Sequence, residues 1–362
     1  MQKRRRSFVA LGAMCAALTI SAVAVPSADA APSVKVLLDG LTSPKGIAIS
    51  DGGTGFDPVV GQGAFFGSGP VLLYTTRHGK GQTVPLTDDQ AAVVDIAASP
   101  DGTGWAIGID GHVVHQLLDG SIVDVADIIA YQATDPDPVD QDQPPNPTES
   151  NPYGIAVAPN GDALVADAAG DDVLRVTPGG VVTTVARFDV EAVSTDQVPP
   201  EVLEQTGPLP PTINAEPVPT TVTIGPDGAI YVGQLMGFPF HTGSSHIWRI
   251  DANASGAWCS VNTPTPGCSV YRSGFTAIQD IDFSKNGELY VLELAKDGVF
   301  AFEAGLDSGQ FPPAVLLDVK GQKTTELGAG QLSQPGGVAV SRDNKVYVTD
   351  GVFSDGRLVR VV

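Results

Sequence analysis

The chain has no Gly-x-Ser-x-Gly nucleophile elbow, no Gly-Lys-Ser/Thr phosphate loop and no Cys-x-x-Cys pair. Those absences argue against the common hydrolase, nucleotide-binding and zinc-binding classes, whose chemistry needs those residues at those spacings. Basic residues are scarce: 20 Lys and Arg stand against 41 Asp and Glu, a net charge of −21. A chain this acidic repels nucleic acid and anionic lipid. Helix signal is scarce too. No amphipathic stretch exceeds two turns, and residues 124–131 and 200–205 are the only helix candidates. Of three cysteines, only two lie beyond the first thirty residues.

What is present begins with an export pattern. Lys3, Arg4, Arg5 and Arg6 precede an apolar run over 8–25, then Pro26 and the small-x-small triplet Ala28-Asp29-Ala30. This predicts a signal peptide over 1–30 and one mature domain over 31–362, with no membrane span after cleavage. Arg5-Arg6-Ser7-Phe8-Val9 suits the twin-arginine route as well as the general secretory one. Losing Lys3, Arg4, Arg5, Arg6 and Asp29 deepens the net charge from −21 to −24. In an oxidising compartment Cys259 and Cys268 are expected to pair across a short loop. The chain-entropy account assigns such a bridge about 2.5–3 kcal/mol.

An internal repeat carries the fold. Gly46-Ile47-Ala48-Ile49-Ser50 returns as Asp95-Ile96-Ala97-Ala98-Ser99, Gly154-Ile155-Ala156-Val157-Ala158, Thr221-Val222-Thr223-Ile224-Gly225, Asp280-Ile281-Asp282-Phe283-Ser284 and Gly337-Val338-Ala339-Val340-Ser341. From Ile47 onward the spacings are 49, 59, 67, 59 and 57 residues. Turns such as Pro159-Asn160-Gly161 and Pro226-Asp227-Gly228 supply the positive φ of tight hairpins, and Asn344 takes the glycine position in the last copy. The first copy departs, with a Gly-rich loop expected over 51–70. Four short antiparallel strands per repeat make a propeller blade, which hides its faces only against its neighbours. The last copy ends one strand short at 357–362, and a spare strand stands at 34–38. The sequence therefore predicts an all-β, six-bladed β-propeller in which the N-terminal strand closes the last blade and removes an exposed edge.

Two columns of polar residues carry the candidate chemistry. Thr76, Gly108, Asp167, Gln234, Glu293 and Asp350 follow the second strand of successive copies. Either they ring one channel mouth as a ligand site or each caps local backbone amides, and the sequence favours capping. Lys45, Tyr153, Gln279, Asp95 and Asp280 precede the inner strands. Asp95 and Asp280 are expected to face each other across the channel, holding a cation or, by preference, ordered water. The sequence requires no cofactor, and calcium is the ion such oxygens would take. Long loops over 132–150, 191–217 and 237–245 are candidate ligand surfaces, the last bringing Phe238, Phe240 and His241. His241, beside aromatic residues, is the candidate acid–base catalyst. His112 and His115, three apart in a strand, point to opposite faces. His78, after a strand of the first copy, has a surface role.

Several segments resemble the ScyD/ScyE family of secreted propellers with NHL-like repeats: Asn151-Pro152-Tyr153-Gly154-Ile155-Ala156-Val157, Leu164-Val165-Ala166-Asp167, and Tyr231-Val232-Gly233-Gln234-Leu235-Met236-Gly237-Phe238-Pro239-Phe240. The resemblance implies an exported propeller and no particular reaction. The expectation is a monomeric extracellular protein binding an unknown small molecule or an extracellular protein. Non-catalytic binding is favoured over a lactonase-, lyase- or strictosidine-synthase-like enzyme acting at the channel mouth.

Overall fold

A computed structural model describes residues 33–51, 56–65, 71–75, 80–84, 92–263 and 265–362. The expected signal peptide, Thr76 and His78 lie outside the described residues. The fold is an all-β propeller. Among the described residues, five sheets have the regular four antiparallel strands. In chain order the first of these joins Ile47–Asp51, Phe56–Val60, Val71–Thr75 and Lys80–Val84. The second joins Val93–Ala98, Gly104–Gly108, His112–Gln116 and Ile122–Asp127.

The repeat predicted six uniform blades, and only five sheets follow that plan. The sheet of the third copy (Pro152–Val157, Ala163–Asp167, Asp172–Val176, Val182–Phe188) carries a fifth strand, Ala257–Cys259, parallel to Val182–Phe188. That strand arrives from the long connection between Ser245–Ile250 and Cys268–Phe275, the outer strands of the next sheet. Cys259 and Cys268 form a disulfide with Cα atoms 5.3 Å apart. It therefore fastens the visiting strand to the sheet it came from, as well as closing a short loop.

The expected closure is present. Val34–Leu41 pairs antiparallel with Gly356–Val361, matching Val34 to Val361 and Val36 to Val359. Apolar layers separate each sheet from the next. Trp105 and Ile107 meet Val165 and Leu174, Leu164 and Val173 meet Val232 and Trp248, and Tyr347 and Leu358 meet Ile47 and Val60. One sequence expectation is corrected in the first copy. The stretch read as a loop over 51–70 contains the second strand, Phe56–Val60, paired from Ile47↔Val60 to Asp51↔Phe56. Gly-rich flanks masked its alternation.

Antiparallel order sends the turns to two different ends. The first-to-second strand turns are tight, as at 158–162, and Asn344 has φ 60°, as its place in the repeat requires. The opposite end receives the second-to-third strand loops and the connections between sheets. On it stand α1 (Ile128–Gln132), the ribbon Glu191–Ser194 with Thr212–Ala215, α2 (Pro200–Thr206) and α3 (Val299–Ser308). The sequence foresaw the regions of α1 and α2 but not α3, whose Val-Phe-Ala-Phe start reads as strand.

Candidate functional site

The inner strands surround a cavity of about 260 Å³ running along the ring axis. Asp95, Asp280 and Asp282 line it. At the loop-bearing end, Lys45, Tyr153 and Gln279 close over these acids. The Lys45 ammonium sits 3.6 Å from the Tyr153 ring centroid and donates to the Tyr153 carbonyl at 2.5 Å. Gln279 Nε2 donates to the Tyr153 hydroxyl at 3.2 Å and to the Gly336 carbonyl at 3.1 Å. Thr349 Oγ1 returns to the Lys45 carbonyl at 3.2 Å. A polar strut thus crosses the axis between non-adjacent sheets.

The two channel acids are held by backbone. Asp95 accepts the amides of Ile96 at 2.9 Å and Ile155 at 2.8 Å. Asp280 accepts those of Ile281 at 2.8 Å and Val338 at 2.7 Å, with the Thr221 hydroxyl at 2.5 Å. Each carboxylate therefore latches its own sheet to the next one round the ring. Close packing suits this, because a Cβ on Gly46 would stand 2.7 Å from the Asp95 Cα. The charge facing both acids is Lys45. They do not belong to any cluster of three or more metal-type ligands among the described residues. Burial pushes Asp95 up to about 7 against the Lys45 charge, and pulls Lys45 down to about 8 against the pull of both acids. Burial raises Asp280 and lifts Asp282 to about 7.

The end-of-strand column behaves as a set of caps. Strand pairing in the first sheet makes Gln62, not Thr76, its first member, since Ile47 opposes Val60 as Ile155 opposes Val165. Gln62 accepts the Thr42 amide at 3.0 Å, Asp167 that of Asn151 at 2.6 Å, and Glu293 that of Thr276 at 2.8 Å. Asp350 accepts an amide at Ser333 and pairs with Arg357. Four copies thus use one polar side chain to hold the chain entering its own sheet. Gln234 departs: it takes the Trp248 indole N–H and approaches Glu191 Oε1 at 3.4 Å. Glu191 binds His246 at 2.9 Å, a partner that sequence reasoning missed because it is 55 residues away.

Phe238 and Phe240 meet edge to face, and both contact Phe300 of α3. From the same helix Phe302 meets Phe353, which stacks on Phe65. The helix therefore ties loops of several sheets across the loop-bearing face. His241 stands beside Asp196, 3.1 Å from Nε2, and its Nδ1 lies 2.7 Å from the Thr242 carbonyl. Both ring nitrogens thus lie within hydrogen-bond distance of an oxygen acceptor. A larger, open hollow of about 700 Å³ lies at the opposite end, where Arg249 is paired with Asp227 and Asp251.

No family model and no curated protein matches the chain. Solved structures do. A catalytically inactive virginiamycin B lyase from Staphylococcus aureus superposes with TM-score 0.50 at 17% identity, over 91% of this chain and 88% of that one. A glucose dehydrogenase gives 0.53 at 16%, over 91% and 99%. A gluconolactonase from Xanthomonas campestris gives 0.52 at 13%, over 91% and 90%. At such identities the likeness shows the propeller fold.

Proposed function

We propose that this is an exported propeller of the ScyD/ScyE type that binds a small molecule on its loop-bearing face. On this reading the five-stranded sheet serves as a sixth blade beside the five regular ones. One observation carries the reading: α1, α2, α3 and the ribbon of Glu191–Ser194 with Thr212–Ala215 all rise from the end where Tyr153, half-buried over Lys45, floors the surface. Aromatic side chains and a few fixed polar groups are what small-molecule sites are made of. The axial cavity, about 260 Å³, is below the usual range of about 300–1,000 Å³, so the ligand rests on the face and not in the channel. The disulfide and the acidic balance suit an extracellular protein. Among the described residues no helix is long and apolar enough to cross a membrane.

The test is native mass spectrometry of the mature chain recovered from its secretion medium. A co-purifying mass is expected, lost in Tyr153→Ala and Phe240→Ala. A bare mass, with no thermal shift against sugar lactones and aldoses, would sink the reading.

One observation favours a second reading, an enzyme. Lys45 and Asp95 bring a lysine near 8 and a carboxyl near 7 together beside a cavity, the kind of shifted pair that acid–base sites use. Gluconolactone hydrolysis followed by pH-stat, abolished in a folded Asp95→Asn chain, would establish it. Equal rates with and without protein would dismiss lactone hydrolysis.

A further inference from the structure

Away from the channel, two sets of three carboxylates that share one member lie where three loops of the same face meet. Asp137, Asp140 and Asp142 come from the proline-rich loop over 132–150. Asp171 lies in the turn between Ala163–Asp167 and Asp172–Val176, and Glu216 leads into Pro219–Ile224. Carboxylate oxygens of Asp137, Asp171 and Glu216 lie within 4.8 Å of one another, and so do those of Asp140, Asp142 and Glu216. Glu216 belongs to both groups.

An acid cluster on a surface needs no ion, because water solvates each charge. Asp171 is different. It is 2% exposed, and its Oδ1 accepts the Val218 amide at 3.2 Å. Its Oδ2 is buried with no hydrogen-bond partner, although it belongs to a carboxylate standing among Asp137 and Glu216. A buried carboxylate oxygen without a donor is costly unless a proton or a cation satisfies it. Arg187, whose charge acts on Asp137, is committed to Asp135.

We propose that Asp137, Asp171 and Glu216 bind one calcium ion that clasps the 132–150 loop to the turn at Asp171 and to the chain at Glu216, with Asp140 and Asp142 adding negative charge beside Glu216. The donors are all hard oxygens, with no histidine or cysteine among them, which selects calcium or magnesium over transition metals. Calcium takes six to eight oxygens at about 2.3–2.6 Å in a flexible geometry, which suits carboxylates drawn from three separate segments with waters filling the rest. Magnesium holds its ligands at about 2.1 Å in a strict octahedron and keeps several waters, which suits one or two carboxylates better than three. Burial and the neighbouring acids push the Asp171 carboxyl far above its ordinary range, as expected where a divalent charge belongs. Glu216 is raised for the same two reasons.

The test uses the mature chain, treated with chelator and then dialysed free of it. Calcium titration by calorimetry should show one site, with a dissociation constant of about 10⁻⁴–10⁻³ M as in other extracellular modules. Millimolar calcium should raise the melting temperature by about 3–6 °C. In Asp171→Asn the calcium response should vanish, while the metal-free melting temperature holds or rises because a buried charge has gone. Asp140→Asn, at a more accessible position, should weaken binding about tenfold and provides the reading should Asp171→Asn not fold. Glu201→Gln, on exposed α2, should respond as the parent does. No heat and no shift at millimolar calcium would overturn the proposal, as would an undiminished response in Asp140→Asn and Asp171→Asn. An equal response to magnesium would overturn the calcium assignment.

Discussion

Two groups of wholly or partly buried acids sit in this propeller, and they are satisfied in opposite ways. On the axis, both oxygens of Asp95 and Asp280 accept backbone amides, and one buried lysine faces both acids. On the loop-bearing face, Asp171 has one oxygen bonded and one without a donor, with further carboxylates as its neighbours. The first arrangement is complete in itself and holds sheets together. The second is incomplete until a cation joins it. Charge alone does not separate a structural acid from a binding one; the inventory of donors does.

The sharpest way to break this comparison is Asp280→Ala. It strips an acceptor from two amides and the Thr221 hydroxyl and removes one counter-charge of Lys45. A loss of about 4–5 kcal/mol is expected in denaturant unfolding. If the loss is below about 1 kcal/mol, Asp280 is not a latch. Lys45→Met keeps the buried stem but leaves the axial acids without their cation. About 3 kcal/mol should go, with the loss smaller at pH 5, where Asp95 regains a proton.

Glu293 tests the ground between the two groups. Burial lifts its carboxyl to about 7, opposed by the Thr276 amide and helped by the Glu326 charge. Between its ordinary value and about 7 the folded chain holds a proton that the unfolded chain has released. Stability therefore falls as pH rises through that window. Glu293→Gln keeps an oxygen for the Thr276 amide and removes the charge. It should add about 1 kcal/mol at pH 8 and flatten the profile between pH 4.5 and 7 in thermal melts. An unchanged slope would place the titration elsewhere. The smallest effect belongs to Asp171→Asn without calcium, where the melting temperature should move by no more than about 2 °C, and upward. A large fall would mean that Asp171 is a latch like Asp280.

Much of the fold was legible in the residues. The hairpin turns, the missing last strand and the spare first one are local patterns, and the pairing of Val34 with Val361 follows from them. The strand Phe56–Val60 was hidden by glycines on both sides. The fifth strand, Ala257–Cys259, has no repeat partner to betray it, being a loop that crosses to another sheet. The site was far less legible. The Asp167 and Glu293 column was visible as a column, but its job as a set of amide caps depends on which chain passes beside it. Phe300 and Phe302 gained a role only because α3 forms across the face.

Sequence by itself settled the repeat, the turn chemistry, the closure of the ring and the acidic balance, because each rests on neighbours a few residues apart or on simple counts. Tertiary structure decided which acids are latched and which are short of a partner. Asp171 stands 34 residues from Asp137 and 45 from Glu216 along the chain, and only the folded ring brings their oxygens within 4.8 Å. Burial, which makes an unpartnered oxygen costly, is a property of what surrounds a side chain in space and has no local signature.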